Sequence, residues 1–263
     1  MNGKWLIVIA ICVCAVASAQ PVLPPGTAVN AADYSYDTSP GALVSIFGDG
    51  LAPELQVAST LPLPTTLAGT SVEATNGNQK VLLPLIMVSP GQINAQLPYD
   101  LGFGITIRVK TANGEARPYT FRLNRRAPKL FTWNQDGKGP AVVTHAADNS
   151  PVEPDNPVQS GEWITIWANS LGEVNPPIRA GEGANDGSED HPLNRVTGHV
   201  RVLIGGQEAE VSYAGLAPYQ AGLYQINVRA PDFEQRGVVE IKIIVDEIES
   251  QGSLTMPVKP ETF

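Results

Sequence analysis

The chain has 263 residues, enough for two domains of ordinary size, and 43% of them are hydrophobic, which is typical of a globular protein. The 25 glycines and 23 prolines, with only 16% charged residues, favour an all-β protein with many short turns over a helical bundle. A net charge of −9 repels phosphate backbones and anionic lipids, and this argues against nucleic acid as a partner.

The first nineteen residues have the composition of a secretory signal peptide. Lys4 precedes an apolar run from Trp5 to Val16, and small residues follow up to Ala19. The run is shorter than the roughly 20 apolar residues that a membrane-spanning helix needs. We therefore predict cleavage near Ala19 and a mature chain that is secreted, periplasmic or at the cell surface, without a membrane span.

Both cysteines, Cys12 and Cys14, lie within this predicted signal. A mature chain without cysteine has no disulfide, no thiol nucleophile and no Cys-ligated metal. Removal of Lys4 from the 17 basic residues leaves 16 against 26 acidic residues, a net charge of −10. We expect hydrophobic cores alone to stabilise the fold.

A strand motif occurs twice, as QINAQLP at 92–98 and as QINVRAP at 225–231. In each copy apolar and polar residues alternate, which is the period of a half-buried strand. The residues predicted to face the core are Ile93, Ala95, Leu97, Ile226, Val228 and Ala230. The polar rows, predicted to be solvated or to brace loops, are Gln92, Asn94, Gln96, Gln225, Asn227 and Arg229.

Other segments repeat in the same order. Residues 161–171 match 41–51, and the hairpin dipeptide Asn76-Gly77 matches Gly205-Gly206. Alternating apolar runs close the two units, and several strands in about 100 residues are typical of an immunoglobulin-like sandwich. We predict an all-β fold of two tandem immunoglobulin-like β-sandwiches joined by a β-hairpin arm.

The predicted division of the chain is a signal peptide (1–19), a flexible Pro-rich leader (20–28), a first immunoglobulin-like unit (29–130), a hairpin and linker (131–154) and a second immunoglobulin-like unit (155–263). The second unit has extra residues in two places compared with the first. Because insertions in one repeat usually form surface loops, the loops predicted to differ, and to bind any partner, are 172–193 and 207–219.

Five strings, in order, resemble the Solibacter uncharacterised C-terminal domain family, a group of secreted acidobacterial proteins. They are SPGALVSIFGDGLAP, LPLPTTLAG, VSPGQINAQLP, APKLFT and GLAPYQAGLYQINVRAP, and the resemblance runs from about Val29 to Val258. It implies a tandem IPT/TIG-like immunoglobulin-like fold, usually at the C-terminus of a larger extracellular protein, and no known activity. This chain departs from the pattern by following a predicted signal directly and by an acidic loop after Pro177.

Catalytic signatures are absent from the sequence. It has no GxSxG elbow, Walker loop, HExxH pair or GxGxxG, and His145, His191 and His199 are far apart without ligand spacing. We predict no enzymatic activity, no catalytic residue, no cofactor and no metal site. The acidic loop from Arg179 to Arg195 could gather oxygen ligands for calcium, but its spacing matches no defined calcium loop, and we expect it to be solvated and mobile.

Aromatic residues are the remaining candidates for a ligand site. Trp163 and Trp167 are predicted on one strand face, with Trp133 near the hairpin. Packing is the favoured role because Phe47 occupies the position equivalent to Trp167; the alternative is a platform that stacks on sugar rings.

Two functions remain open. The first is a secreted non-catalytic extracellular interaction or adhesion module whose ligand, a protein or a glycan, and ligand-binding residues are unknown. The alternative is a carbohydrate-binding or carbohydrate-active accessory protein, which an exposed aromatic strip would favour.

Overall fold

The computed structural model describes residues 20–260, which form strands, turns and loops without a single helical residue. The prediction of an all-β, immunoglobulin-like fold is confirmed. The predicted signal peptide and its cleavage site after Ala19 lie outside the described residues. Within 20–260 nothing forms a helix that is long and apolar enough to cross a membrane.

The first unit consists of two antiparallel sheets around one core. One sheet has the strand order β1-β2-β7-β6-β3 and the other the order β10-β8-β4-β5, with β9 beside β8. Buried side chains from both sheets meet in the core, among them Ile46, Ile93, Val72 and Ile107. The strands are β1 (Ala28–Asn30), β2 (Leu43–Phe47), β3 (Gln56–Val57), β4 (Ser71–Asn76), β5 (Gln79–Leu82), β6 (Leu85–Val88), β7 (Gln92–Gln96), β8 (Gly104–Thr111), β9 (Gly114–Glu115) and β10 (Tyr119–Arg122).

The second unit has thirteen strands in the described residues, hydrogen-bonded in the order β11-β15-β20-β19-β18-β21-β23-β12. Off this path, β13 pairs with β15, β14 with β23, β17 with β19 and β16, and β22 with β21. The strands are β11 (Lys129–Leu130), β12 (Gly139–Pro140), β13 (Val143–His145), β14 (Val158–Gln159), β15 (Trp163–Asn169), β16 (Val174–Asn175), β17 (Arg195–Val196), β18 (Val200–Ile204), β19 (Gln207–Leu216), β20 (Tyr224–Arg229), β21 (Gly237–Val245), β22 (Ile248–Glu249) and β23 (Leu254–Lys259).

The repeated motif forms equivalent strands, β7 and β20, in the two units. Ile93 and Ile226 are fully buried, whereas Asn94 and Asn227 on the opposite face are half-buried. The predicted alternation therefore holds in both copies. Gln96 is the exception, because its side chain is buried against the second unit and accepts a hydrogen bond from the backbone N–H of Gly181.

Strand β19 replaces one of the two predicted loops. Residues 207–219 were expected to form a surface loop, and this is wrong because Gln207–Leu216 is a ten-residue strand. Its first part pairs with β18 and its second part with β20, with a register shift between Val211 and Tyr213. The corresponding residues of the first unit form two strands, β5 and β6, so the extra residues of the second unit lie after β19, in its connection to β20.

The segment 131–154 packs with the second unit. Strands β11 and β13 both pair with β15, and Leu130, Val143 and Val152 are buried in the core of that unit. Between them, Thr132 and Ala141 bridge across the predicted hairpin. The leader is also paired, since the backbone of Val22 bridges to Asp49.

A buried polar contact joins the two units. The backbone N–H of Leu43 donates to Asn169 Oδ1 (2.9 Å), and Asn169 Nδ2 donates to the carbonyl of Leu43 (2.8 Å) and to Asn30 Oδ1 (2.8 Å). The loop 172–193 adds a second contact, since the N–H of Leu63 donates to the carbonyl of Gly181. This loop therefore lies against the first unit.

Candidate functional site

A cleft of about 800 Å³ lies between the two units. One wall is the outer face of the first unit's β2-β7-β6 sheet, and the other is the hairpin that follows β11 together with Trp167 of β15. The lining contains no Asp, Glu, Lys, Arg or His side chain. It combines aromatic rings, aliphatic side chains and amides, which is the composition of a site for an uncharged ligand.

Amide groups on β7 form the polar part of the first wall. Ser45 and Phe47 of β2 pair with Asn94 and Gln92, so these four side chains share one face of the sheet. Ser45 Oγ and Gln92 Nε2 both donate to Asn94 Oδ1, at 3.1 and 2.8 Å. Within the described residues, Asn94 Nδ2 and Gln92 Oε1 bond no other group, so the wall offers one free donor and one free acceptor.

The second unit repeats this arrangement. Thr165 Oγ1 and Gln225 Nε2 both approach Asn227 Oδ1, at 3.2 and 3.5 Å. In each copy of the motif the central asparagine is thus held by a hydroxyl of the neighbouring strand and by the preceding glutamine. The polar rows brace themselves in both units, but only the row of the first unit lines the cleft.

Aromatic side chains form the opposite wall and the rim. The side chain of Trp133 is 46% exposed and that of Tyr34 is 41% exposed, although both are large rings. Phe131 and Trp167 lie deeper and are half-buried. Trp167 Nε1 donates to Thr144 Oγ1 (3.2 Å), which fixes its indole plane against β13.

The hairpin positions Trp133 above the cleft. The N–H of Phe131 donates to the carbonyl of Trp167, and the N–H of Trp133 donates to the carbonyl of Pro140. The first bond attaches the hairpin to β15 and the second closes the hairpin, with the side chain of Trp133 exposed to solvent. The contribution of Trp133 was not predictable, since it depends on how the hairpin lies relative to the other unit.

Trp163 lies four residues before Trp167 on the same face of β15 and opposite Arg229. Its side chain is 39% exposed, so the packing role favoured for it does not describe its environment. Trp167 is half-buried and serves both for packing and as a cleft wall. Part of the aromatic strip that would favour carbohydrate binding is therefore exposed.

The histidines do not form a site. His145 is buried, its Nδ1 pairs with the carboxylate of Glu162, and its Nε2 lies 3.2 Å from the carbonyl of Asn156. These contacts brace the loop that follows β13. No group of three His, Cys, Asp or Glu side chains in the described part of the chain is arranged to hold a metal.

The acidic loop 179–195 is held by hydrogen bonds within itself and from Tyr219. Asp186 Oδ1 accepts from the N–H of Ser188 (3.0 Å), and Oδ2 accepts from the hydroxyl of Tyr219 (3.2 Å). The hydrogen bonds from Ser188 hold the pKa of Asp186 below its usual value. Its oxygens are thus engaged by donors of the protein.

A smaller cavity of about 460 Å³ lies beside this loop, between Tyr99 and Arg179. The hydroxyl of Tyr99 is buried without a hydrogen-bond partner in the described residues, and burial raises its pKa to about 12. The ring covers Gly41, where a Cβ would lie only 1.9 Å from it. Tyr99 thus fills the junction between the units.

No protein-family model matches the chain, and no curated protein does. Among solved structures, it is similar to SGBP-B of a Bacteroides ovatus mixed-linkage glucan utilization locus, in complex with a mixed-linkage heptasaccharide. The identity is 12% and the TM-score 0.34, over 86% of this chain and 44% of that one.

It is also similar to SGBP-B from a complex xyloglucan utilization locus of Bacteroides uniformis, with 12% identity and a TM-score of 0.28, over 90% of this chain and 48% of that one. Invasin, a bacterial integrin-binding protein, has 10% identity and a TM-score of 0.25, over 86% and 38%. The chain spans less than half the length of each of these three proteins.

Proposed function

We propose that this protein is a secreted, non-catalytic extracellular binding module whose partner occupies the cleft between the two units. The observation that carries the proposal is the combination of exposed rings and free amide groups in one concave surface of about 800 Å³. Rings left exposed beside polar groups mark binding surfaces, because their burial by a ligand removes apolar area from water.

The chemistry of the lining supports the non-catalytic part of the proposal. General acid–base catalysis needs a titratable side chain in contact with the substrate, and the cleft has neither a carboxylate nor a histidine. Its one serine, Ser45, donates its hydroxyl to Asn94 and has no basic neighbour in the lining. The cleft residues are therefore suited to hold a molecule and not to cleave it.

We further propose that the chain belongs to the Solibacter uncharacterised C-terminal domain family, on the motifs quoted above. The tandem all-β units are the fold that this resemblance implies. The proposed export rests on the composition of residues 1–19. The family resemblance implies no ligand, so the partner has to be argued from the cleft.

Comparative capture from culture medium tests the proposal. Residues 20–263 would be immobilised as wild type, as Trp133→Ala in the cleft, and as Phe103→Ala at a site that is 51% exposed outside the cleft. We expect a partner, protein or polysaccharide, that is retained by wild type and Phe103→Ala and lost with Trp133→Ala. Retention that is equal in all three would contradict the cleft as the binding site.

A parallel assay tests the absence of catalysis. Purified protein would be incubated with polysaccharides and with casein, and products would be separated by chromatography. We expect no turnover. Turnover that one carboxylate or serine substitution abolishes would replace this proposal with an enzymatic one.

A further inference from the structure

We propose that the ligand of the cleft is an uncharged polysaccharide chain, held with its sugar rings against Trp133 and its hydroxyls against the amides of Gln92 and Asn94. This inference rests on the proposed function and adds the chemical class of the ligand. Three features of the cleft carry it: its lack of charge, its free amide groups and the placement of its rings.

The lack of charge selects against ionic ligands. Charged residues make up 16% of the chain, yet none lines the cleft. A carboxylate, sulfate or phosphate that entered it would lose its hydration without gaining an opposite charge, which is strongly unfavourable. The chain's net charge of −9 adds repulsion for polyanions.

The amide pair selects against purely apolar ligands. Asn94 Nδ2 is a free donor and Gln92 Oε1 a free acceptor, and both are held in place by their shared contact at Asn94 Oδ1. A lipid tail that covered them would leave both without partners. A sugar hydroxyl donates and accepts at once, so adjacent hydroxyls can satisfy both amides.

The rings fit the apolar faces of sugar units. Pyranose rings expose C–H groups on one face, and a flat indole such as Trp133 buries that face without needing a specific hydroxyl pattern. Trp133 is 46% exposed and Tyr34, which also lines the cleft, is 41% exposed. The volume of about 800 Å³ also lies within the range of small-ligand sites, whereas protein partners usually cover broader surfaces.

Trp163 extends the surface beyond the cleft. It shares a face of β15 with Trp167, and four strand residues span roughly 13 Å. Its ring is 39% exposed and does not line the cleft itself. A polysaccharide that leaves the cleft along β15 would contact the ring of Trp163, so the site favours a polymer over a single sugar.

Affinity electrophoresis and calorimetry test the inference with a fixed panel. The neutral probes are mixed-linkage β-glucan, xyloglucan, galactomannan, xylan and dextran, and the anionic probe is polygalacturonate. We expect at least one neutral polysaccharide to bind and polygalacturonate not to bind. Binding of polygalacturonate alone, or of no neutral member of the panel, would overturn the inference.

Variants locate the binding. Trp133→Ala should weaken binding of the neutral polysaccharide at least tenfold, Trp133→Tyr should retain most of it, and Gln92→Ala should weaken it about fivefold. Phe103→Ala is the exposed aromatic control and should bind like wild type. Melting temperatures of all variants would be measured, and Trp133→Tyr, which keeps a ring, serves if Trp133→Ala does not fold.

The dependence of affinity on the length of the sugar chain tests whether the binding site extends along β15. Trp163→Ala should reduce the affinity for the polymer about fivefold and leave the affinity for a trisaccharide of the same linkage unchanged. Equal loss for both, or no loss for either, would remove Trp163 from the site.

The outcomes separate this inference from the proposed function. A protein partner lost with Trp133→Ala, without any polysaccharide binding, would overturn the sugar ligand and leave the cleft as a binding site. Polysaccharide binding that Trp133→Ala does not change would contradict both.

Discussion

Arg126 Nε donates a hydrogen bond to Asp246 Oδ2 over 2.6 Å. This ion pair connects the segment between β10 and β11 to a turn of the second unit. Nη1 donates to the carbonyl of Leu171 (2.7 Å) and Nη2 to Thr197 Oγ1 (3.0 Å). Arg126 is 3% exposed, whereas the side chain of Asp246 is 42% exposed. One buried cation thus joins the segment between β10 and β11 to three parts of the second unit.

Replacement of Arg126 by Met should lower the free energy of unfolding by about 3 kcal/mol, because three charge-assisted hydrogen bonds are lost in a buried site. Urea unfolding measures this. The matched control is Arg201→Met, which removes an exposed pair with Glu208 and should have a much smaller effect. Equal losses in both variants would show that burial of Arg126 contributes nothing.

The ion pair between Arg126 and Asp246 also predicts a contribution to the free energy of unfolding that is lost in acid. The hydrogen bond from Arg126, followed by that from the N–H of His199, lowers the pKa of Asp246. A carboxyl group whose pKa is lower in the folded than in the unfolded protein stabilises the fold at pH values above its unfolded pKa, which is about 3.9 for Asp. This stabilisation is lost as the pH falls through the folded pKa.

Asp246→Asn should therefore be less stable than wild type at pH 7, and the difference should shrink below about pH 4. The free energy of unfolding measured from pH 2 to 7 checks this. Other carboxylates with lowered pKa values, such as Glu73 beside Lys80 and Lys110, cancel in the comparison. A difference that stays constant across this range would rule out the coupling.

The strand faces were predictable because they depend on local alternation. Ile93 and Ile226 lie in the cores as expected, and both predicted hairpins form, with the turn at Gly205-Gly206 as expected and the other at Gly77-Asn78, one residue later than expected. The strand Gln207–Leu216 was missed because extra residues in a repeat were equated with a loop. The extra residues lie after this strand, in the connection to β20, and the strand itself corresponds to β5 and β6 of the first unit.

The site was less predictable because its parts come from distant segments. Gln92 and Asn94 were predicted on the outer face of their strand, but nothing local indicates that Trp133 lies across from them. Likewise, Asn169 has no local signal for its role, since its partner Leu43 is 126 residues away. Such contacts depend on how two units pack, and a strand pattern contains no information on that.

Substitution of Asn169 tests how much its hydrogen bonds between the two units contribute to stability. Asn169→Leu has a similar shape but removes the acceptor of the N–H groups of Leu43 and Ser170, while the carbonyl of Leu43 keeps the N–H of Ala31, so we expect a loss of about 2 to 4 kcal/mol. Denaturant unfolding followed by tryptophan fluorescence measures it. Asn124→Ala removes an exposed amide that bonds to Asp37 and should change stability little. A neutral Asn169→Leu would show that the units do not depend on this contact.

The two cores predict separate and additive losses. Ile93 and Ile226 are both fully buried, each in a different core, so Ile93→Ala and Ile226→Ala should each cost about 2 to 5 kcal/mol. Ile248→Ala, at a site that is 42% exposed, is the control for side-chain size and should cost far less. The double variant should lose the sum within about 0.5 kcal/mol, because the two sites share no core. Losses below about 0.5 kcal/mol at both would contradict the assignment of these faces.

Substitution of Gly181 tests how much the contact between the loop 172–193 and the first unit contributes to stability. The φ of Gly181 is +87°, and a Cβ there would lie 2.8 Å from the ring of Pro84 in the first unit. Gly206 has a similar φ of +80° but open space around the same position, so it is the matched control. Gly206→Ala should cost only the backbone strain of a left-handed residue, about 1 to 2 kcal/mol. Gly181→Ala adds a clash with Pro84, so it should cost about 1 to 3 kcal/mol more. If both variants lose the same stability by urea unfolding, the loop does not press against the first unit in solution, and other contacts, such as those of Asn169, hold the junction.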